Sequence, residues 1–471
     1  MKSKSINNFF RFSERSDLTA IIKSDSTTAY KELFTKANKL CQSFLEAGII
    51  ANSYVPLWIE DQPKFVDTII AIWYLGAVPV PLNIKLLDED IYSIIDDYDF
   101  KFLLTDKIFK GKKANRNFKF INLNKIEISD SESKQFELPE LEKEAVVIFT
   151  SGSTGTPKGV VHTFNSLISS IENGNAVLDH REKDRWLASL PFYHIGGFQI
   201  ICRSLFYGCS IIIPESVQTN HLTDAIVNHN PTHLSLVSTQ LERLIHQKAN
   251  PNNSLRVSLI GGGFVDDELM FEADKLGWKP YRVYGSSETA SMVTAISADK
   301  IKSKPQSAGK PFDNVQINIS DESEILIKSN SLFKKYLNDE KKTLSKMING
   351  FYHTGDIGFV DADGYLFLEA RRNDLIVTGG ENVNPIEVEK ALLQIPYIKD
   401  ACVFPKQSKT WGQIVAAALV VNDPSINKNK IQDALKQKLA GYKIPKKLFF
   451  VNELPRTSLG KLERDKIRKM F

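Results

Sequence analysis

The stretch FTSGSTGTPKGV, Phe149–Val160, decides how the rest of the chain is read. It holds three glycines, a run of Ser/Thr hydroxyls, one proline and one lysine. The apolar run AVVIFT (Ala145–Thr150) leads into it and reads as a buried strand. Backbone N–H groups of such a loop can wrap phosphate oxygens, and Lys158 adds a mobile positive charge. It is not a Walker A loop: counting from Gly152, Pro157 stands where the second glycine belongs. Gly159, not Ser or Thr, follows Lys158, so a ligand for a phosphate-bound metal has to come from elsewhere.

Outward from this loop, short apolar runs alternate with helical patterns, the rhythm of an α/β protein with largely parallel sheets. SYVPLWI and AVPVPL read as strands around a helix at Phe65–Leu75, and RVSLIGGG and YRVYGSSET as strands ending in turns. Carboxyl ends of strands are where such sheets bind ligands. The style changes near residue 360, where GFVDADGYLFLEAR predicts a hairpin with Asp363 and Gly364 in its turn. A small α+β unit follows, with a helix begun by Asn384 as cap and Pro385 at its first position. The boundary is expected at Arg371–Asp374, giving domains 1–372 and 373–471.

Composition narrows the class. At 471 residues the chain is too long for one ordinary domain. Hydrophobic and charged fractions of 42% and 25% are those of a soluble globular protein. A net charge of +4 argues against a nucleic-acid binder, although Lys428–Phe471 carries 13 Lys/Arg against 4 Asp/Glu. Cys41, Cys202, Cys209 and Cys402 have no C-x-x-C spacing, which fits a reducing cytoplasm. The apolar stretch Phe65–Leu82 is broken by Asp67, Gly76 and prolines, so no membrane span is expected. The N-terminus has no apolar core of a secretory signal.

Four further stretches offer chemistry. In VYGSSETA, Glu288 could supply the missing hard oxygen ligand for magnesium, Tyr284 could stack on a base, and Thr289 could bond a phosphate oxygen. Asp356 in FYHTGDIG and Arg371 in EARRNDLIVTGGENVNP could bond ribose hydroxyls. Gly379 and Gly380 allow close approach to the backbone. Lys461, in PRTSLGKLERDKI, follows a glycine in a basic tail. Each alone is also an ordinary turn or a solvated face.

Together FTSGSTGTPKGV, YGSSET, HTGD, RRNDLIVTGGENVNPIEVE and PRTSLGK resemble, in order and spacing, the adenylate-forming superfamily of acyl- and aryl-CoA ligases, adenylation domains and luciferases. TAYKELFTKANKLCQSFLEAG and LGAVPVPLN extend the resemblance over nearly the whole chain. It implies a large N-terminal domain of stacked sheets and helices and a small mobile C-terminal domain. It also implies a carboxylic acid, ATP and CoA as substrates, with Mg2+. By resemblance, Thr150, Ser151, Gly152, Ser153, Thr154, Gly155, Thr156 and Lys158 hold the phosphates, while Glu288 carries the metal. Gly262, Gly263, Tyr284 and Gly285 flank adenine, and Asp356 and Arg371 clasp the ribose. Lys461, Glu288, Thr289 and Lys158 serve catalysis, Asn373 is the hinge, and Gly379, Gly380 and Glu381 line the CoA tunnel.

LPFYHIGGFQIICRSL, LIGGG and the Arg371 stretch are most similar to the o-succinylbenzoate–CoA ligases of menaquinone biosynthesis. His194, Arg203, Gly261 and Ser286 then face the acid. Arg203 lies two helical turns after Gly196, so it could face the same pocket and meet a second carboxylate. Leu190–Leu205 contains no acidic residue to pair an amino-acid ammonium, which disfavours an amino-acid adenylation domain. Another aryl- or acyl-CoA ligase is the competing enzyme. A non-catalytic adenylate-binding protein would be marked by loss of Lys461 or Glu288, and both are present. A homodimer without nucleic-acid partner is the expected state.

Overall fold

Two compact units form, the larger from residues 1–316 and 328–352, the smaller from 317–327 and 353–471. The structure, a computed structural model, describes all residues except 1, 11–16, 108–117, 127–137, 151–156, 264, 372–375, 379–380, 409–411, 423–425, 458–459 and 461.

In the larger unit, Thr19–Ile22, Ser210–Ile212, Arg185–Leu187, His233–Val237, Val257–Gly261 and Pro280–Ser286 lie side by side, all parallel. Antiparallel Thr27–Ala29 flanks one side and Ser291–Ser297 the other. The central strands are largely apolar, as strands covered on both faces are, and every residue of HLSLV and VSLIG is buried. A second sheet pairs Val78–Pro81, Tyr54–Trp58, Phe102–Thr105 and Lys119–Asn122 in parallel. As the sequence predicts, its crossover is a helix, Gln62–Tyr74, capped by Asp61, whose side chain accepts from the Lys64 N–H at 3.0 Å. Phe9, Trp73, Phe164 and Phe206 interlock at ring separations of 5.3 to 6.2 Å beneath these helices.

The opening loop departs from expectation. It joins two antiparallel strands, Glu144–Thr150 and Lys158–Thr163, with Thr150 opposite Lys158. The strand before it is as the sequence predicts, but the largely parallel, helix-alternating rhythm expected of the chain is not kept here. Instead the second apolar run, GVVH, continues as a strand and pairs Lys335–Tyr336 on its other edge. The helix Phe164–Leu178 begins only after it, where Thr163 accepts from the Ser166 N–H at 3.1 Å.

In the smaller unit the predicted hairpin is present, Phe351–Val360 against Leu366–Arg371. Asp361 Oδ1 accepts from the N–H groups of Asp363 and Tyr365 at 3.0 and 2.9 Å to close its turn. Ile398–Ser408 pairs antiparallel with Gly412–Val421, which also pairs Ile376–Thr378 and, in parallel, Lys447–Phe450. The helix Pro385–Leu393 is capped by Asn384 as predicted, at 2.9 Å from the Ile386 N–H. Among the described residues no helix is long and apolar enough to cross a membrane. All four cysteines are free and buried.

Burial holds several imidazoles of the larger unit neutral. It pushes His162 and His233 down to about 4, with His233 also facing Asp184. A folded value below the unfolded one means that stability is complete above the unfolded value and is lost as pH falls toward the folded one. Unfolding free energy should therefore drop between about pH 6.5 and about pH 4, by up to about 1.4 kcal/mol per pH unit per histidine. Denaturant titrations across that range measure it; a flat profile would mean that protons reach these rings in the folded state.

Candidate active site

The site grows from one turn. The strand Pro280–Ser286 ends at a single 3-10 turn, Ser287–Thr289, whose Glu288 and Thr289 are buried. Ser286 Oγ accepts from the Glu288 N–H at 3.2 Å and starts it. His162 Nε2 donates to the Ser287 carbonyl at 2.7 Å, and the Phe333 N–H donates to the Glu288 carbonyl at 2.7 Å. Ser170 Oγ and Gln199 Nε2 both donate to the Ala290 carbonyl, at 2.6 and 3.0 Å. These partners hold Ala290 and Ser291 at φ of 54° and 104°, where side-chain-bearing residues rarely sit. Gly285 is obligatory, since a Cβ there would overlap the Ser291 carbonyl oxygen.

So fixed, Glu288 meets Lys158. The lysine Nζ lies 2.6 Å from Glu288 Oε1, and the Tyr336 hydroxyl donates to the same oxygen at 2.9 Å. The ammonium also sits 4.7 Å from the centre of the Tyr336 ring. Burial by itself would raise the Glu288 carboxyl, but the Lys158 charge and the two hydrogen bonds outweigh it and hold the group at about 2. The carboxylate is thus fully ionised at neutral pH, a hard oxygen donor that already accepts a cation. Burial and Glu288 together push the Tyr336 hydroxyl far up, keeping it a donor.

Other predicted residues gather on the same edge. Val257–Gly261 and Pro280–Ser286 are parallel neighbours, so Gly261, Gly262 and Gly263 emerge beside Tyr284, which is half-buried. Thr289 is fully buried, and its hydroxyl donates to the Ser291 carbonyl at 2.6 Å. As it stands Thr289 therefore serves the turn. His194 precedes the helix Ile195–Tyr207, its ring 4.6 Å from Tyr193, and burial pushes its imidazole down to about 4. Gly197 lets that helix start against the loop before it, because a Cβ would strike the Pro191 carbonyl.

Arg203, on the same helix, is 1% exposed. Its NH2 lies 3.4 Å from Ser291 Oγ, next to the turn, and among the described residues no carboxylate pairs with it. Burial lowers the guanidinium to about 10, leaving it charged at neutral pH.

In the smaller unit Asp356 stands mid-strand opposite Arg371, its N–H donating to Thr354 Oγ1 at 3.0 Å. The side chains of Arg371 and Glu381 lie outside the described residues, as do Ser151 to Thr156, Asn373, Gly379, Gly380 and Lys461 in full. The PRTSLGK stretch is closed by Arg456, whose NH1 donates to the Gly460 carbonyl at 2.8 Å while NH2 binds both Asp400 oxygens at 2.9 and 2.7 Å.

Reading the sequence missed Tyr336, His162 and Ser291. Tyr336 lies in FKKYLND, 48 residues from the glutamate it serves, with no spacing to betray it. His162 sits in an apolar strand run and looks like core. Ser291 follows directly on the recognised YGSSETA, and two left-handed residues in succession were the missing clue.

An ionised carboxylate balanced by a lysine thus stands at the carboxyl edge of parallel strands, the edge at which such sheets bind ligands. The chain belongs to the AMP-binding enzyme family, whose profile matches residues 10–337. The profile for the AMP-binding enzyme C-terminal domain matches residues 387–461. A 2-succinylbenzoate–CoA ligase of Bacillus subtilis (strain 168) is 31% identical over 469 residues, covering 97% of this chain and 96% of the relative. Among solved structures, the o-succinylbenzoate CoA synthetase of Bacillus subtilis in complex with the acyl-adenylate intermediate superposes with a TM-score of 0.91 at 30% identity, over 98% of both chains. The same enzyme in complex with ATP and magnesium ion gives 0.90 at 30% identity, over 98% of this chain and 99% of that one.

Replacing Lys158 with Met strands the buried Glu288 carboxylate. The larger unit should lose about 2–4 kcal/mol at neutral pH, and Glu288→Gln added to it should recover part of that. Urea titrations of the two single variants and the double variant test the coupling; costs that simply add would mean the two groups do not interact.

Proposed function

We propose that the protein is an ATP-dependent acid–CoA ligase working through an acyl-adenylate, with o-succinylbenzoate as its acid. Family membership, full-length similarity to 2-succinylbenzoate–CoA ligases and the Glu288 site support the reaction. The observation that carries the acid is Arg203, a buried guanidinium with no carboxylate partner among the described residues. One carboxylate of the acid reacts. The other, buried on binding, needs a cation of this kind.

In the first step a carboxylate oxygen attacks the α-phosphorus of ATP and pyrophosphate leaves. In the second the CoA sulfur attacks the acyl carbon, AMP leaves, and a thioester forms. Phosphoryl transfer asks the protein for positioning and charge neutralisation. Thr150–Lys158 hold the phosphates, with Lys158 exchanging its Glu288 contact for a phosphate oxygen. Glu288 is then the residue that holds Mg2+, whose chemistry when bound is to neutralise charge between phosphates.

Gly262, Gly263, Tyr284 and Gly285 flank the base, Asp356 and Arg371 take the ribose, and His194, Gly261 and Ser286 line the acid pocket with Arg203. Lys461 offsets charge at the α-phosphate. Residues 373–471 then turn about Asn373, bringing Gly379, Gly380 and Glu381 to the CoA chain. Lys443 is bound to Glu387 at 2.7 Å, so the basic C-terminal segment is less free to meet CoA phosphates than its charge suggests. The same reading takes the cytoplasm as the compartment and a homodimer as the assembly.

Pyrophosphate release over a panel of acids tests the reading: o-succinylbenzoate should far exceed benzoates, coumarate, acetate and fatty acids, and preference for any of these would replace it. Arg203→Leu should cut kcat/KM for o-succinylbenzoate roughly 30- to 1000-fold, on the order of 2–4 kcal/mol, yet barely touch an analogue lacking the unreacted carboxylate. Lys461→Ala should slow adenylation about 10²-fold and leave thioester formation from synthetic acyl-adenylate nearly intact. Equal losses in both half-reactions would remove Lys461 from its assigned role.

A further inference from the structure

We propose that Trp186 is a positioning residue for substrate selection, its indole face holding the Arg203 guanidinium where a π surface, not a carboxylate, balances the charge. The inference rests on the reading of Arg203 given above. Arg203 Cζ lies 5.5 Å from the Trp186 ring centre. Its only hydrogen bond among the described residues is the long one to Ser291, and its buried Nε has no partner. A carboxylate in this position would neutralise the guanidinium and leave nothing for an anionic ligand. A π face stabilises the cation without adding negative charge, so the site keeps its net charge for the ligand.

Trp186 is itself packed among other rings. It is fully buried on the strand Arg185–Leu187, with the His233 ring stacked on it at 4.9 Å. His180 lies 5.3 Å from His233 and 4.4 Å from Tyr207, extending the column of flat rings. Asp184, which faces His233 at 3.9 Å, is engaged by Arg256. The indole N–H of Trp186 is buried and has no hydrogen-bond partner among the described residues. Such a group costs stability, so the residue is kept for its face and volume rather than for its polar edge.

The experiment compares kcat/KM for o-succinylbenzoate and for the analogue without the unreacted carboxylate, in Trp186→Leu, Trp186→Phe and Arg203→Leu. Trp186→Leu should lose about tenfold on o-succinylbenzoate, mainly through KM, and less than about twofold on the analogue. Trp186→Phe, which keeps a π face, should restore most of that loss. Losses of equal size on both acids, or no loss on either, overturn the proposal. Where Trp186→Leu does not fold, Trp186→Phe decides alone: a selective loss of about threefold on the dicarboxylate sustains it, and an unselective change overturns it. If Arg203→Leu fails to discriminate between the acids, the substrate reading itself falls. If Arg203→Leu discriminates and the Trp186 variants do not, only this inference does.

Discussion

The ion pair of Lys158 and Glu288 is the constraint on which the larger unit's loops depend. A carboxylate as buried as Glu288 is tolerable only with a cation and hydrogen-bond donors at hand. Lys158 and Tyr336 supply them from two adjacent strands of one small sheet, while the glutamate comes from the turn after a strand of another. Holding those sheets in this relation falls to His162 and the Phe333 N–H, both bonded to carbonyls of the turn. The charge, the turn and the docking of two sheets are therefore one interdependent arrangement.

The second buried charge is treated in the opposite way. Glu288 is balanced inside the protein, whereas among the described residues Arg203 meets a serine hydroxyl and an indole face and no carboxylate. The two are linked through two residues: Gln199, one turn before Arg203, holds the Ala290 carbonyl, and Arg203 reaches Ser291. The helix that carries Arg203 is thus tied to the turn that carries Glu288. A shift of either would be felt by the other, because backbone in the left-handed region has little room to adapt.

Several charged residues of the smaller unit serve its own architecture. Arg464 binds Glu389, and both converge on the Val403 backbone, with Glu389 accepting its N–H at 2.6 Å and Arg464 donating to its carbonyl at 2.8 Å. Arg456 closes the loop through Gly460 and Asp400. A basic composition that looks like an anion-binding surface in sequence is, at these positions and at Lys443, already paired with acids 56 to 75 residues away.

Local chemistry by itself determined much: the strands from their apolar runs, a helix entry from Asn384, and the hairpin from Asp363 and Gly364. It also marked Lys158 through its glycine-rich loop, whereas Glu288 stood out only when the five stretches were read together. Only the tertiary structure decided that they touch, that Tyr336 and His162 complete them, and that the opening loop belongs to a hairpin. It also moved Arg203 from an open choice to the interior and gave it Trp186 as neighbour. The physical reason is range: caps, turns and strand runs act over a few residues, whereas balancing a buried charge recruits whatever the fold brings within hydrogen-bond distance, here across 130 residues from Lys158 to Glu288.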